Sequence, residues 1–215
     1  MLFALELTGI IIAAYLLGSI NFAVIFARAF SNRDVRDYGS GNAGTTNVMR
    51  TVGFLPGLLT FVCDALKGVI ACGAGLIVFR HVPCPGWFHS VYSAYACAIA
   101  CMLGHMFPVF FQFKGGKGVA ISVGIFLVCC PKLVPIALGI FILLALTTRI
   151  VSLSSLAAML SAVILTCFFY NRAASPAPQI IMTVIMCILV YIKHTENIKR
   201  LIKGEEKKLT LRRSK

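Results

Sequence analysis

The 215-residue chain is 59% hydrophobic and 13% charged, with a mean hydropathy of +0.91 and a formal net charge of +13. That mix lies far from the composition of water-soluble domains and excludes a soluble enzyme or binding module. A balance this basic would point to nucleic acid in a soluble chain, but here the cations gather at the ends of apolar stretches, so no nucleic-acid partner is expected.

The N-terminal Met1-Leu2-Phe3-Ala4-Leu5-Glu6 lacks the basic segment of a signal peptide, and the uncharged residues 7–27 read as a retained first helix. Cutting at charges, Pro and Gly gives apolar segments at about 3–29, 53–79, 88–112, 119–130, 133–148, 154–171 and 178–193. The expectation is an all-α polytopic integral membrane bundle of about seven helices, with 1–204 forming one transmembrane catalytic domain and 205–215 a charged cytoplasmic tail. The fourth and fifth segments are short, and Pro131-Lys132 between them allows a kinked or re-entrant pair instead. Seven crossings divide the loops into two sets. One holds Arg28, Arg33, Arg36, Arg50, Lys114, Lys117, Arg149 and the cations from Lys193 onward; the other holds Arg80, Lys132 and Arg172. The richer set is assigned to the cytoplasm, which places the N-terminus outside and the C-terminus inside.

Every chemically suggestive segment falls on that cytoplasmic side. Gly39-Ser40-Gly41-Asn42-Ala43-Gly44-Thr45-Thr46-Asn47-Val48-Met49-Arg50 joins glycines that turn the backbone toward an anion, hydroxyl and amide donors, and a fixed cation. A plain turn between helices needs few of these groups. Phe113-Lys114-Gly115-Gly116-Lys117-Gly118 sets two ammonium groups on a flexible backbone, which suits a doubly charged phosphate monoester. It lacks the spacing and the Ser or Thr of a Walker loop, so nucleotide hydrolysis is not expected. Lysines at helix ends also snorkel to the interface, but the flanking glycines have no part in that role. Arg149 with Ser152, Ser154 and Ser155 repeats the theme, and reads equally as a helix cap behind a positive-inside arginine.

Asp64 and Lys67 lie three apart in the second apolar segment and share a helix face. Mutual pairing, or pairing of Asp64 with Arg50 or a loop lysine, is preferred to proton relay. His105 reads as a core histidine, whereas His194, three residues before Asn197 at the cytoplasmic edge, is better placed to meet substrate. The nine cysteines sit almost entirely within apolar runs and lack zinc spacing, and the acidic residues are scattered, so neither a metal nor a cofactor is expected.

These segments closely resemble, over nearly the whole chain, those of the bacterial acyl-phosphate:glycerol-3-phosphate acyltransferases. The resemblance rests on Gly39 through Asn47, on Gly104-His105 through Gly118, on Ser152-Leu153-Ser154-Ser155-Leu156, and on Lys193-His194-Thr195-Glu196-Asn197-Ile198. The family often carries Ala at the position of Thr45, and the tail beyond Glu206 matches no motif. What the resemblance implies is transfer of a fatty acyl group from acyl phosphate to the sn-1 hydroxyl of glycerol 3-phosphate, releasing phosphate, the first step of phospholipid synthesis. By position it implies that Ser40, Gly41, Asn42 and Gly44 hold the acyl-phosphate head. Arg50, Lys114, Lys117 and Ser152 would bind glycerol 3-phosphate, Thr46, Asn47, Gly115, Gly116 and Ser154 would be further substrate-binding positions, and His194 and Asn197 would orient the reacting groups. Acyl phosphate, glycerol 3-phosphate and membrane lipids are the implied partners, in the bacterial cytoplasmic membrane, with no obligatory protein partner. The family is thought to let a substrate phosphate take the hydroxyl proton; Ser40 as nucleophile with His194 as its base is the opposing mechanism. The H-x-x-x-x-D pattern of acyltransferases that use acyl-CoA or acyl carrier protein is absent, because Lys199 and Phe110 stand at the fifth position after His194 and His105. A transporter of an organophosphate anion is the competing class, and it calls for polar residues through the midplane.

Overall fold

In the computed structural model, residues 2–82, 84–86, 88–170 and 176–209 are described, and all regular elements among them are helices. Arg172, in one of the predicted external loops, and tail residues 210–215 lie outside the described residues. Helices alone satisfy every backbone N–H and C=O internally where water is absent, so an apolar chain of this kind has few other choices.

The first apolar segment forms two helices, α1 (Leu2–Gly18) and α2 (Phe22–Ser31), where the sequence reads as one. Ser19 turns its hydroxyl back to the Tyr15 carbonyl at 2.9 Å, and Asn21 Oδ1 caps α2 by accepting from the Val24 N–H at 3.2 Å. The break also gives the Gly18 and Ile20 carbonyls to Lys67 of the next long helix, at 3.0 and 2.9 Å. A buried ammonium needs such acceptors, and an unbroken helix would have withheld them.

After a short 3-10 turn (Val35–Asp37) and the glycine run come α3 (Thr45–Thr51), α4 (Phe54–His81), α5 (Ser90–Met106), α6 (Val119–Cys129), α7 (Val134–Thr148), α8 (Val151–Tyr170), α9 (Pro176–Lys193) and α10 (Thr195–Ile202). All seven predicted apolar segments are present as helices. Among the described residues, five spans meet the length and apolarity of a membrane crossing, counting α1 with α2 as one; α9 and α10 form a further pair bent by 64°. The 11 residues of α6 reach only about 16 Å, roughly half of a bilayer core. Pro131–Leu133 makes the tight 3-10 turn that joins α6 to α7.

Central helix α5 packs against α1 and α4, α4 also lies along α6, and α7 through α9 form a second layer. Small residues permit these approaches, as is usual where lipid supplies no hydrophobic drive between helices. A methyl group at Gly104 would collide with the Tyr15 carbonyl of α1, and one at Gly124 with the Ala65 carbonyl of α4. Gly104→Ala is therefore expected to separate α1 from α5 and cost about 1–3 kcal/mol, read as a lowered Tm in detergent. Most of α7 instead presents its surface outward, with Leu143 and Leu146 among its most exposed residues.

Residues 205–209 fold back beneath the bundle. The Leu209 N–H donates to the Arg149 carbonyl at 2.7 Å, and Lys207 Nζ to the Gly39 carbonyl at 3.4 Å.

Candidate active site

A cavity of about 310 Å³ lies where the glycine run, the loop before α6, the start of α8 and the junction of α9 with α10 meet. Four segments remote in sequence thus converge at one end of the bundle. Ser40, Asn42, Gly44, Thr46, Asn47, Arg50, Lys117, Ser152, His194 and Asn197 line this cavity. Gly41, Lys114 and Gly115 line a neighbouring hollow of about 450 Å³, together with Asp34, Arg36 and Lys193. Gly116 and Ser154 line neither: Gly116 rests on His105, and the buried Ser154 hydroxyl donates to the Ile150 carbonyl at 3.0 Å.

The glycine run is bracketed by one side chain. Asn47 Oδ1 accepts from the Ser40 N–H at 2.9 Å, and its Nδ2 donates to the Val35 and Tyr38 carbonyls, each at 2.9 Å. Both amide hydrogens are committed, so Asn47 shapes the loop while it lines the cavity. Gly39 has a φ of 66°, and a side chain there would also collide with Asn47 Oδ1. Arg50 projects from α3 into the cavity, and among the described residues no carboxylate or carbonyl pairs with its guanidinium. Outside the cavity, the Arg36 hydrogen bond to Asp34 holds that carboxyl well below its usual range, and Arg28 on Asp34 and the Phe111 carbonyl on Arg36 complete the cluster.

The loop before α6 turns through positive φ at Gln112 and Phe113, 57° and 58°, and again at Gly118, 87°. Lys117 leaves it to donate to Asn197 Oδ1. Burial pulls the Lys117 ammonium down to about 8; the Glu206 carboxylate opposes this, and Arg200, Lys193 and Arg50 add to it. The cations of Arg50, Lys193 and Arg200 near Lys117 suit the site to an anion.

Asn197 Nδ2 donates to Glu206 Oε1 at 2.6 Å, Ser152 Oγ to the same oxygen at 2.9 Å, and Arg200 Nε to Oε2 at 2.8 Å. Burial raises the Glu206 carboxyl, but these bonds outweigh it and keep the group below its ordinary value. No motif in the sequence marks Glu206 or Arg200 as part of the site. Their only sequence signal is position, just past a helix that begins at the His194 and Asn197 pair. Glu206 fixes the Asn197 amide so that its oxygen faces Lys117.

His194 sits at the bend between α9 and α10 with Nδ1 2.8 Å from the Val190 carbonyl. A carbonyl only accepts, so Nδ1 carries the hydrogen and Nε2 of the neutral ring is an acceptor. Among the described residues the Ser40 hydroxyl makes no hydrogen bond to His194. Asp64 and Lys67 pair at 2.9 Å, one of the arrangements preferred from sequence, and both Asp64 and His105 line the cavity. Phe61, Val119 and Phe141 add an apolar wall. Among the described residues no cluster of His, Cys, Asp and Glu could hold a metal ion.

The family model described as glycerol-3-phosphate acyltransferase matches residues 8–204. Glycerol-3-phosphate acyltransferase 2 of Bacillus anthracis is 37% identical over 199 residues, covering 93% of this chain and 97% of that protein. The glycerol-3-phosphate acyltransferase of Thermoanaerobacter sp. (strain X514) is 41% identical over 204 residues, covering 94% of each. The crystal structure of PlsY (YgiH), an integral membrane glycerol 3-phosphate acyltransferase in its glycerol 3-phosphate form, superposes with a TM-score of 0.83 at 35% identity, covering 95% of this chain and 96% of that one.

Proposed function

The chain belongs to the glycerol-3-phosphate acyltransferase family, and on that premise we propose that it moves a fatty acyl group from acyl phosphate to the sn-1 hydroxyl of glycerol 3-phosphate. The products are lysophosphatidic acid and phosphate. The observation that carries this reading is a single cavity in which Arg50, unpaired among the described residues, and the half-buried Lys117 meet an apolar wall of Phe61, Val119 and Phe141. Two phosphate-bearing substrates, one with a fatty chain, need that combination of fixed cations and apolar surface.

The hydroxyl oxygen attacks the acyl carbonyl carbon, the ester bond forms as the carbon–oxygen bond to phosphate breaks, and the hydroxyl proton passes to a phosphate oxygen of the substrates. Acyl phosphate is already activated, so no acyl-enzyme is required. A Ser40 nucleophile would need a base within hydrogen-bond reach, and among the described residues its hydroxyl makes no hydrogen bond to His194. His194 Nε2 accepts from the attacking hydroxyl and orients it, while Lys117 and Arg50 bind the phosphate of glycerol 3-phosphate, and Asn197 and Ser152, both bonded to Glu206, shape the wall beside it. Ser40, Asn42 and Gly44 hold the departing phosphate. The chain lies in the bacterial cytoplasmic membrane, with its N-terminus outside and the cavity open to the cytoplasm.

Phosphate release from palmitoyl phosphate by the detergent-purified protein tests this, with and without glycerol 3-phosphate and against palmitoyl-CoA. Release that depends on glycerol 3-phosphate and yields lysophosphatidic acid supports the reading; no product from acyl phosphate rejects it. A pH dependence follows. Phosphate binding requires the Lys117 ammonium, which burial pulls down to about 8. Binding therefore takes up a proton above that pH, and KM for glycerol 3-phosphate is expected to rise by up to about tenfold per unit from pH 8 toward 9.5. Initial rates across that window check it, and the rise should vanish in Lys117→Arg, whose guanidinium stays charged.

A further inference from the structure

Asp64, Lys67 and His105 are three ionisable side chains within or at the ends of membrane helices, each at most 6% exposed. Charges at such depth are retained at a cost and need an explanation beyond mutual pairing. They form a continuous chain. The Gly18 and Ile20 carbonyls at the break between α1 and α2 hold Lys67, Lys67 Nζ lies 2.9 Å from Asp64 Oδ1, and the same oxygen lies 3.5 Å from His105 Nδ1. The chain ends against the loop that carries Lys117. The Gly116 N–H donates to the His105 carbonyl at 3.1 Å, a methyl group at Gly116 would collide with His105 Nε2, and one at Gly115 with the His105 carbonyl oxygen. His105 is thus the seat of this loop at both its ring and its backbone, and Asp64 keeps the ring from turning.

Resting on the reading of Lys117 as a ligand of the glycerol 3-phosphate phosphate, we propose that His105, held by Asp64, is a positioning residue that sets where the Lys117 ammonium stands. Neither residue need touch the reacting atoms. The relay Lys67, Asp64, His105, Gly116 carries the rigidity of α1, α4 and α5 into a glycine-rich loop that has little of its own. Without the anchor the loop samples more conformers, and the cation is in register for only a fraction of them. The expected loss therefore falls on the substrate that Lys117 binds.

The test is a double-mutant cycle in the full-length protein, with wild type as the control for the reaction itself. His105→Phe keeps a ring beneath Gly116 but removes the nitrogen that faces Asp64. It is expected to raise KM for glycerol 3-phosphate about tenfold, with kcat and KM for palmitoyl phosphate within twofold of wild type. In the Lys117→Met background the same change is expected to add less than twofold, because there is no longer an ammonium to position. An unchanged KM, a loss confined to kcat, or effects that multiply in the double variant would each overturn the proposal. Should His105→Phe fail to fold, His105→Asn is read against the same expectations. If wild type itself gives no glycerol 3-phosphate-dependent product, the function is wrong; if wild type turns over and the cycle is additive, only the positioning role is.

Discussion

Replacing Lys117 with methionine is expected to lower kcat/KM for glycerol 3-phosphate by roughly a thousandfold, about 4 kcal/mol, while the protein keeps its Tm in detergent. The size follows from where the ammonium sits. It is largely withdrawn from water, faces Asn197 Oδ1, and has Arg50 and Arg200 around the same cavity. A charge-assisted bond to phosphate in such a place is worth far more than at a surface. The retained Tm follows from the same burial. Burial already pulls this group down to about 8, so the folded state gains nothing from its charge, and methionine fills the space without it. Lys114→Met is the internal comparison. It lines the neighbouring hollow, and its loss is expected to cost less than tenfold. Equal losses at the two lysines would mean that both hollows serve one substrate.

That contrast between two lysines three residues apart marks where the sequence stops being informative. Glycines, serines and cations in one run announce an anion site because few other roles use them together, and the four segments do meet around one cavity. Composition could not sort Lys114 from Lys117, since the loop that carries them turns through positive φ on either side of the pair, at Gln112, Phe113 and Gly118, and the two ammonium groups face different hollows. Asn47 carries the donors of a ligand-binding amide, and only the fold reveals that both of its amide hydrogens are given to Val35 and Tyr38. Glu206 was illegible for a different reason. A carboxylate in a basic tail reads as solvated charge, and its role rests on a backbone return that brings residue 209 against Arg149. The seven apolar segments were readable from hydropathy alone, but the break at residues 19–21 was not, because its cause lies in α4, nearly fifty positions away at Lys67.

Lys67 is also where the largest effect on folding is expected. Lys67→Met should leave little folded protein in detergent, with a loss of about 3–5 kcal/mol from a total of about 5–15 kcal/mol. Lys67 is 1% exposed and Asp64 2%, so neither charge has water to fall back on. The ammonium donates to the carbonyls of Gly18 and Ile20, and Asp64 Oδ1 stands 2.9 Å away as its counter-charge. Methionine matches its length but leaves a buried carboxylate with only His105 at 3.5 Å, and two carbonyls unpaired at the break between α1 and α2. Removing the second charge should recover part of the loss. Lys67→Met with Asp64→Leu eliminates the uncompensated carboxylate, and its Tm is expected above that of Lys67→Met alone, although below wild type because the carbonyls remain unmet. Thermal unfolding of the single and double variants in one detergent measures this. A double variant no more stable than Lys67→Met would mean that the ammonium acts mainly on the carbonyls of the break, and that Asp64 is held by His105 and the cavity instead.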